Sequence, residues 1–115
     1  MADAILFIGW NRPHVGLDDK AMGYAAGEGL EYLKKLEGKY FERLDVIGLT
    51  AHGGDLNFAF ILHGNRAKLD ELRRTDEFEA FSFKLSSLFD RVRVVPGLNW
   101  EGIQKVMKRM PSAGR

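Results

Sequence analysis

The chain has 115 residues, with 17 basic and 16 acidic side chains, a net charge of +1 at pH 7, 45% hydrophobic residues and no cysteine. Disulfides, thiolate nucleophiles, iron–sulfur clusters and cysteine zinc sites are thereby excluded. The near-neutral balance gives no electrostatic reason to expect nucleic acid or an anionic membrane as partner. The length suits a single domain, 1–115, large enough for a real core.

The first element is the apolar run Ala4-Ile5-Leu6-Phe7-Ile8-Gly9-Trp10. It is short, follows Asp3 and lacks a basic n-region, so it reads as a strand rather than a signal peptide or membrane span. A cytoplasmic location is expected. A loop over Asn11–Gly16 follows, with Pro13 disfavouring helix at Arg12. Asp18 or Asp19 is expected to cap a helix running to about Lys35 and ended by Gly38. Met22, Ala26, Leu30, Leu33 and Leu36 give that helix an apolar stripe. Gly23, Gly27 and Gly29 within it each cost roughly 1 kcal/mol relative to alanine, so a close approach, by neighbouring backbone or by a ligand, is expected to offset them.

A second strand from near Tyr40 through Ala51 turns at His52-Gly53-Gly54-Asp55 into a third, Leu56–Leu62, as a hairpin. Asn65 can cap the next helix, whose stripe of Ala67, Leu69 and Leu72 continues as Phe78, Phe81, Leu85 and Leu88. Thr75-Asp76 marks a break or a second cap within it. The fourth strand, Arg91–Val95, is ended by Pro96-Gly97. Asn99 then caps a short helix with Ile103, Val106, Met107 and Met110 on its apolar side. The terminal cations Lys105, Lys108, Arg109 and Arg115 complement that helix's dipole.

The order is β-α-β-β-α-β with a short C-terminal helix, an α+β, ferredoxin-like arrangement. Its antiparallel sheet has the strand order 4-1-3-2, with both long helices on one face. A sheet face turned to water should carry polar residues at alternate positions, yet all four strands are apolar on both sides. The second face therefore needs a cover, and a second copy of the chain is the expected one. The stretch from His52 to Glu101, His-Gly-Gly-Asp-Leu-Asn-Phe-Ala-Phe through Arg-Val-Val-Pro-Gly-Leu-Asn-Trp-Glu, resembles the second half of small dimeric α/β-barrel proteins. In that superfamily two ferredoxin-like sheets pack bare face to bare face around a cavity; members include cofactor-independent monooxygenases, isomerases and many domains of unknown function. The resemblance implies a homodimer and a cavity and transfers no catalytic residue.

An even hairpin loop would pair His52 with Asn57, Thr50 with Ala59, Gly48 with Ile61 and Val46 with His63, all on one small, partly polar face suited to a cavity wall. Ala51, Phe58, Leu49, Phe60, Ile47 and Leu62 would then form the helix-packed face. An odd loop or a bulge would mix the two sets. Topology should bring Trp10, Arg12, His14, His52, Asp55 and Asn57 to one end of the sheet, near Asp90 and Arg91. His52 is the candidate catalytic residue, as a general base or hydrogen-bonding group adjustable near neutral pH; a solvated turn histidine is the plainer alternative. Arg12, His14, Thr50, Asp55, Asn57 and His63 are the candidate ligand-binding residues. Arg12 and His14 can clamp a carboxylate, or simply occupy a surface loop; His63 can equally serve a dimer interface.

No G-x-G-x-x-G, P-loop, nucleophile elbow or H-x-x-x-H spacing occurs, so no cofactor and no metal are expected. The expected function is a homodimeric binder of a small apolar or aromatic molecule, in a cavity between sheet and helices or between subunits, with cofactor-independent oxygenation or isomerisation as the enzymatic form. The alternative is a non-catalytic interaction module that uses the bare sheet face.

Overall fold

A computed structural model describes residues 2–110. In chain order the elements are β1 (Ala4–Trp10), α1 (Asp18–Ala26), α2 (Glu28–Leu36), β2 (Arg43–Gly48), β3 (Phe58–Gly64), α3 (Arg66–Arg73), α4 (Asp76–Leu88), β4 (Arg93–Leu98) and α5 (Trp100–Arg109). The strands form one sheet in the order β2-β3-β1-β4, every neighbouring pair antiparallel. This is the expected 4-1-3-2 order, with β2 and β4 at the edges. Arg115 lies outside the described residues.

Local chemistry places several boundaries where the sequence puts them. The Asn65, Thr75 and Asn99 side chains each accept from the backbone amide three residues on, at 3.2, 3.2 and 3.1 Å, so α3, α4 and α5 all begin with a satisfied cap. Thr75 is thus a true second cap within the expected long helix. Gly38 adopts φ +89 just after α2, a conformation that costs glycine little.

Other boundaries differ. The first helix is two: α1 and α2 meet at Gly27, whose backbone leaves the helical region (φ −108, ψ −102). A Cβ there would stand 2.7 Å from the Gly23 carbonyl oxygen, so the bend needs glycine. Neither Asp18 nor Asp19 is the cap; Leu17 holds that position without a side-chain bond, and the two carboxylates lie in the first turn facing the positive end of the helix dipole. Strand β2 begins at Arg43 rather than Tyr40, and β4 runs through Pro96 and Gly97 to Leu98. As an edge strand β4 has a neighbour on one side only, so a residue without an N–H is tolerated in it.

The three interior glycines separate cleanly. At Gly29 an added Cβ would meet the Tyr24 ring and carbonyl at 3.0 Å and the Phe81 ring at 3.4 Å, whereas at Gly23 it would meet nothing within 4 Å. Gly29→Ala is therefore expected to destabilise the protein by about 1–2 kcal/mol through crowding. Gly23→Ala is expected to stabilise it by about 1 kcal/mol through helix propensity. Urea unfolding of the two variants checks both signs, and a destabilised Gly23→Ala would mean that this exposed position has an undescribed neighbour.

One sheet face carries the core. Ala4, Leu6, Ile8 and Trp10 from β1 and Phe60 and Leu62 from β3 are buried against Ala21, Ala25 and Leu33 of α1 and α2 and Leu69, Leu72, Phe78, Phe81, Leu85 and Leu88 of α3 and α4. Trp10 is the hub at one end: its ring centre lies 5.0 Å from those of Phe60 and Phe89. The opposite face has no helix over it. Pairing runs across it as rows: Gly97, Ile5, His63 and Arg43; then Val95, Phe7, Ile61 and Asp45; then Arg93, Gly9, Ala59 and Ile47. Its middle is apolar. Phe7 and Leu56 lean over Gly9, where a Cβ would come within 2.5 and 2.7 Å of them.

The hairpin register corrects the sequence reading. Arg43, not Val46, pairs with His63, and Gly48 pairs with Phe58. Nine residues, 49–57, separate the strands, so the loop is odd and β2 is turned over relative to expectation. Ala59, Ile61 and His63 do line the open face, but their β2 neighbours are Ile47, Asp45 and Arg43 instead of Thr50, Gly48 and Val46. Leu49 and Ala51, expected in the core, are exposed in the loop. Beyond Gly48 the Leu49 amide still donates to the Asn57 carbonyl at 2.8 Å, while the Asn57 amide donates to the Trp10 carbonyl at 2.9 Å on the β1 side.

Candidate functional site

The open face ends in two polar groups, one at each side. The first is built on β2 and β3. Because Arg43 and Asp45 alternate with Leu44 and Val46, they point to the open face, and the register sets them beside His63. His63 Nε2 lies 2.8 Å from Asp45 Oδ2, with the histidine side chain only 12% exposed. Toward the carboxylate Nε2 donates only when protonated, and toward the Arg43 guanidinium it accepts only when unprotonated, so the tautomer decides which of the two partners it engages. Arg43 Nη2 lies 3.0 Å from Nε2 and 3.3 Å from Nδ1, and its Nε stands 3.5 Å from Asp45 Oδ1. A carboxylate beside an imidazole orients the ring for acid–base chemistry, and here the Arg43 guanidinium shares that position.

The second group closes the other end. Asn57 Nδ2 donates to Asn11 Oδ1 at 2.6 Å, and Asn11 Nδ2 donates to Asp90 Oδ2 at 3.1 Å. Asp55 accepts from Arg91 Nη1 at 3.1 Å and lies 3.3 Å from Arg93 Nη2. Arg93, and to a lesser degree Arg91, holds the Asp55 carboxyl below the usual value of 3.8. Arg91 takes a left-handed backbone (φ 54), an uncommon conformation for a non-glycine residue, while its guanidinium bridges Asp55 and Asp90.

The expected site residues divide between these groups and the surrounding loops. Asp55 and Asn57 join Asp90 and Arg91 as anticipated. Arg12 meets them through its backbone, its carbonyl accepting from the Asp90 amide. His14 Nε2 instead lies 3.0 Å from the Ser86 carbonyl of α4. Thr50 and His52 are exposed in the 49–57 loop, His52 Nδ1 lying 2.8 Å from the Thr50 carbonyl. Asp55 pairs with Arg91 and Arg93, and Asn57 bonds Asn11 rather than standing opposite His52. His63 stands apart from this end, in the Arg43–Asp45 group. Sequence reading missed Arg43, Asp45, Asn11 and Arg93. The alternation Arg43-x-Asp45-x-Ile47 against Leu44-x-Val46 was the available signal for the first two. Among the described residues no three acidic or histidine side chains converge as metal ligands would, and no helix is long and apolar enough to cross a membrane.

Beyond the sheet, α5 projects from the end of β4. Gly102 is buried against the Asp3 carbonyl and Leu98, and Lys105 pairs with Asp3 at 2.8 Å. The helix leaves Trp100, Ile103, Met107 and Met110 exposed. On the helix side of β2, Met22 and Val46 are also exposed, over an apolar hollow of about 270 Å3 floored by Trp10 and Phe58.

No family model matches the chain, and no curated protein matches it. Several solved chains share its fold, among them the following two. One is a dimeric protein of unknown function and ferredoxin-like fold from Bacteroides fragilis NCTC 9343, with a TM-score of 0.59, 13% identity, and coverage of 84% of this chain and 96% of that one. The other is a conserved protein from Methanosarcina mazei Go1, with a TM-score of 0.60, 15% identity, and coverage of 85% and 94%. At such identities the likeness establishes the ferredoxin-like fold and carries no activity.

Proposed function

We propose that the protein is a homodimer, paired open face to open face, that binds a small apolar or aromatic molecule in the space between its two sheets. The observation that carries this reading is the open face itself. Ile5, Phe7, Ile47, Ile61 and Val95 have no helix over them, and polar groups bound them at two sides. A monomer exposing that face would present a large apolar patch to water. The Bacteroides fragilis protein of the same fold is dimeric, which supports a homodimer here. Within such a cavity the His63–Asp45 pair is the group we assign to chemistry. A base of this kind, without a cofactor, suits proton abstraction from an apolar substrate with an acidic C–H or O–H, as isomerisation or cofactor-independent oxygenation requires. His52, Thr50, Asp55, Asn57, Arg12 and His14 then belong to the mouth.

Light scattering over a range of concentrations, followed by thermal-shift screening of aromatic acids and phenols, tests the proposal. The expected result is a concentration-independent dimer and a ligand whose thermal shift is lost in His63→Ala and kept in His52→Ala. A stable monomer, or a ligand indifferent to His63→Ala, would sink it. A second reading, a protein-interaction module, is favoured by one observation: the exposed side of α5, with Trp100, Met107 and Met110 each about 60% exposed.

A further inference from the structure

Across the molecule from the open face, Tyr24 of α1 and Glu28 and Tyr32 of α2 line one side of a groove, Glu28 and Tyr32 one helical turn apart. Glu77, Phe81 and Lys84 face them from α4, and the two lines enclose a groove of about 450 Å3. Phe81 is its floor, 4% exposed, with ring centres 5.1 Å from Tyr32 and 6.4 Å from Tyr24. Burial, aided by Glu28, raises the Tyr24 hydroxyl, and burial pushes the Tyr32 hydroxyl up to about 12. Glu77 adds to the Tyr32 rise, and the nearby Thr75 hydroxyl offsets part of it without completing a hydrogen bond. Both rings are therefore neutral phenols at physiological pH. Among the described residues neither Glu28 nor Glu77 has a basic group within 4.0 Å. One cation is already drawn in: Lys84 Nζ sits 5.8 Å from the centre of the Tyr24 ring.

We propose that this groove binds an organic ammonium cation, with Tyr24, Tyr32 and Phe81 supplying ring faces and Glu28 and Glu77 the countercharge. The electron-rich faces of neutral aromatic rings attract a weakly hydrated alkylammonium group. A metal ion would instead demand several converging oxygen ligands, which the aromatic lining does not offer. The contact made by Lys84 is an internal stand-in for the ligand and competes with it. The cation can come from a free small molecule or from an alkylated lysine on a peptide; the groups that recognise it are the same. None of the lining residues lies on the open face, so the site is independent of the dimer reading.

The test is a titration of the full chain with choline and with its neutral carbon isostere, 3,3-dimethylbutan-1-ol, followed by the ring-proton resonances of the groove aromatics. Choline is expected to saturate these shifts and to bind at least about fivefold more tightly than the isostere. Glu28→Gln combined with Glu77→Gln should weaken choline about tenfold. Lys84→Ala, a change at an exposed residue that leaves the fold intact by circular dichroism, should tighten it about threefold by vacating the Tyr24 face. A trimethyllysine peptide that binds more tightly than choline identifies the peptide source, and choline binding as tightly or better identifies the small molecule. Equal binding of choline and isostere, no shift from either up to about 100 mM, or a Lys84→Ala protein that binds choline no better than the parent would overturn the proposal.

Discussion

Val95→Arg is expected to turn the dimer into a monomer while leaving the fold intact. Val95 is 47% exposed, sits on the edge strand β4 and pairs across to Phe7 in the apolar middle of the open face. In a lone subunit the new guanidinium would stay in water, and a surface change of this kind alters stability by about 0.5 kcal/mol or less. Between two facing sheets it would be driven into an apolar layer, twice over by symmetry. Desolvating an unpaired charge costs several kcal/mol, so the dimer dissociation constant should rise by at least about a thousandfold. Light scattering at micromolar concentration should then give the monomer mass, with far-UV circular dichroism unchanged. Phe83→Arg is the control: Phe83 is 69% exposed on α4, in the helix layer, and its replacement should not change the mass. If Val95→Arg stays dimeric, the two copies meet somewhere other than the open face.

Phe60→Ala should carry the largest stability loss. Phe60 is 2% exposed, lies under the helices from the inner strand β3 and meets Trp10 edge-on at 5.0 Å. Truncation removes the buried ring and leaves a cavity that rigid neighbours fill poorly, costing about 4 kcal/mol. A domain of this size has roughly 5–15 kcal/mol in all, so the thermal midpoint should fall by about 15–20 °C. The adjacent residue gives the contrast. Ile61 points to the open face, so in the monomeric Val95→Arg background Ile61→Ala should cost only about 1 kcal/mol. Equal losses at 60 and 61 in that background would mean that the two sheet faces have been assigned wrongly.

Much of the fold was legible because its signals are local. A cap needs only a side chain and an amide three residues on, so Asn65, Thr75 and Asn99 could be read directly. The order of strands and helices came from hydrophobic periodicity, and the ferredoxin-like topology followed from that order. The need to cover a second sheet face came from strands that are apolar on both sides, and the uncovered Ile5, Phe7, Ile47 and Ile61 realise it. The break at Gly27 was less legible. Three glycines in one helix look alike in sequence, and only packing distinguishes the crowded Gly29 from the open Gly23.

The site was legible only in part. Asp55, Asn57, Asp90 and Arg91 converge as topology required. The Asp45–His63 contact could not be found, because it depends on hairpin register and a shift by an odd number of residues reverses every side chain of β2. His52-Gly53-Gly54-Asp55 has the composition of a tight turn, and nothing within those four residues says that the strands stop short of it. The ends of that loop engage distant partners instead: Asn57 pairs with Trp10 and Asn11, and Asp55 with Arg91 and Arg93. The sequence by itself thus determined which segments are helix and strand, apart from the break at Gly27, their order and the apolar character of both sheet faces, since these rest on interactions within a few residues. Only the tertiary structure decided which face each β2 side chain joins, because strand pairing is settled by hydrogen bonds and packing between residues far apart in the chain.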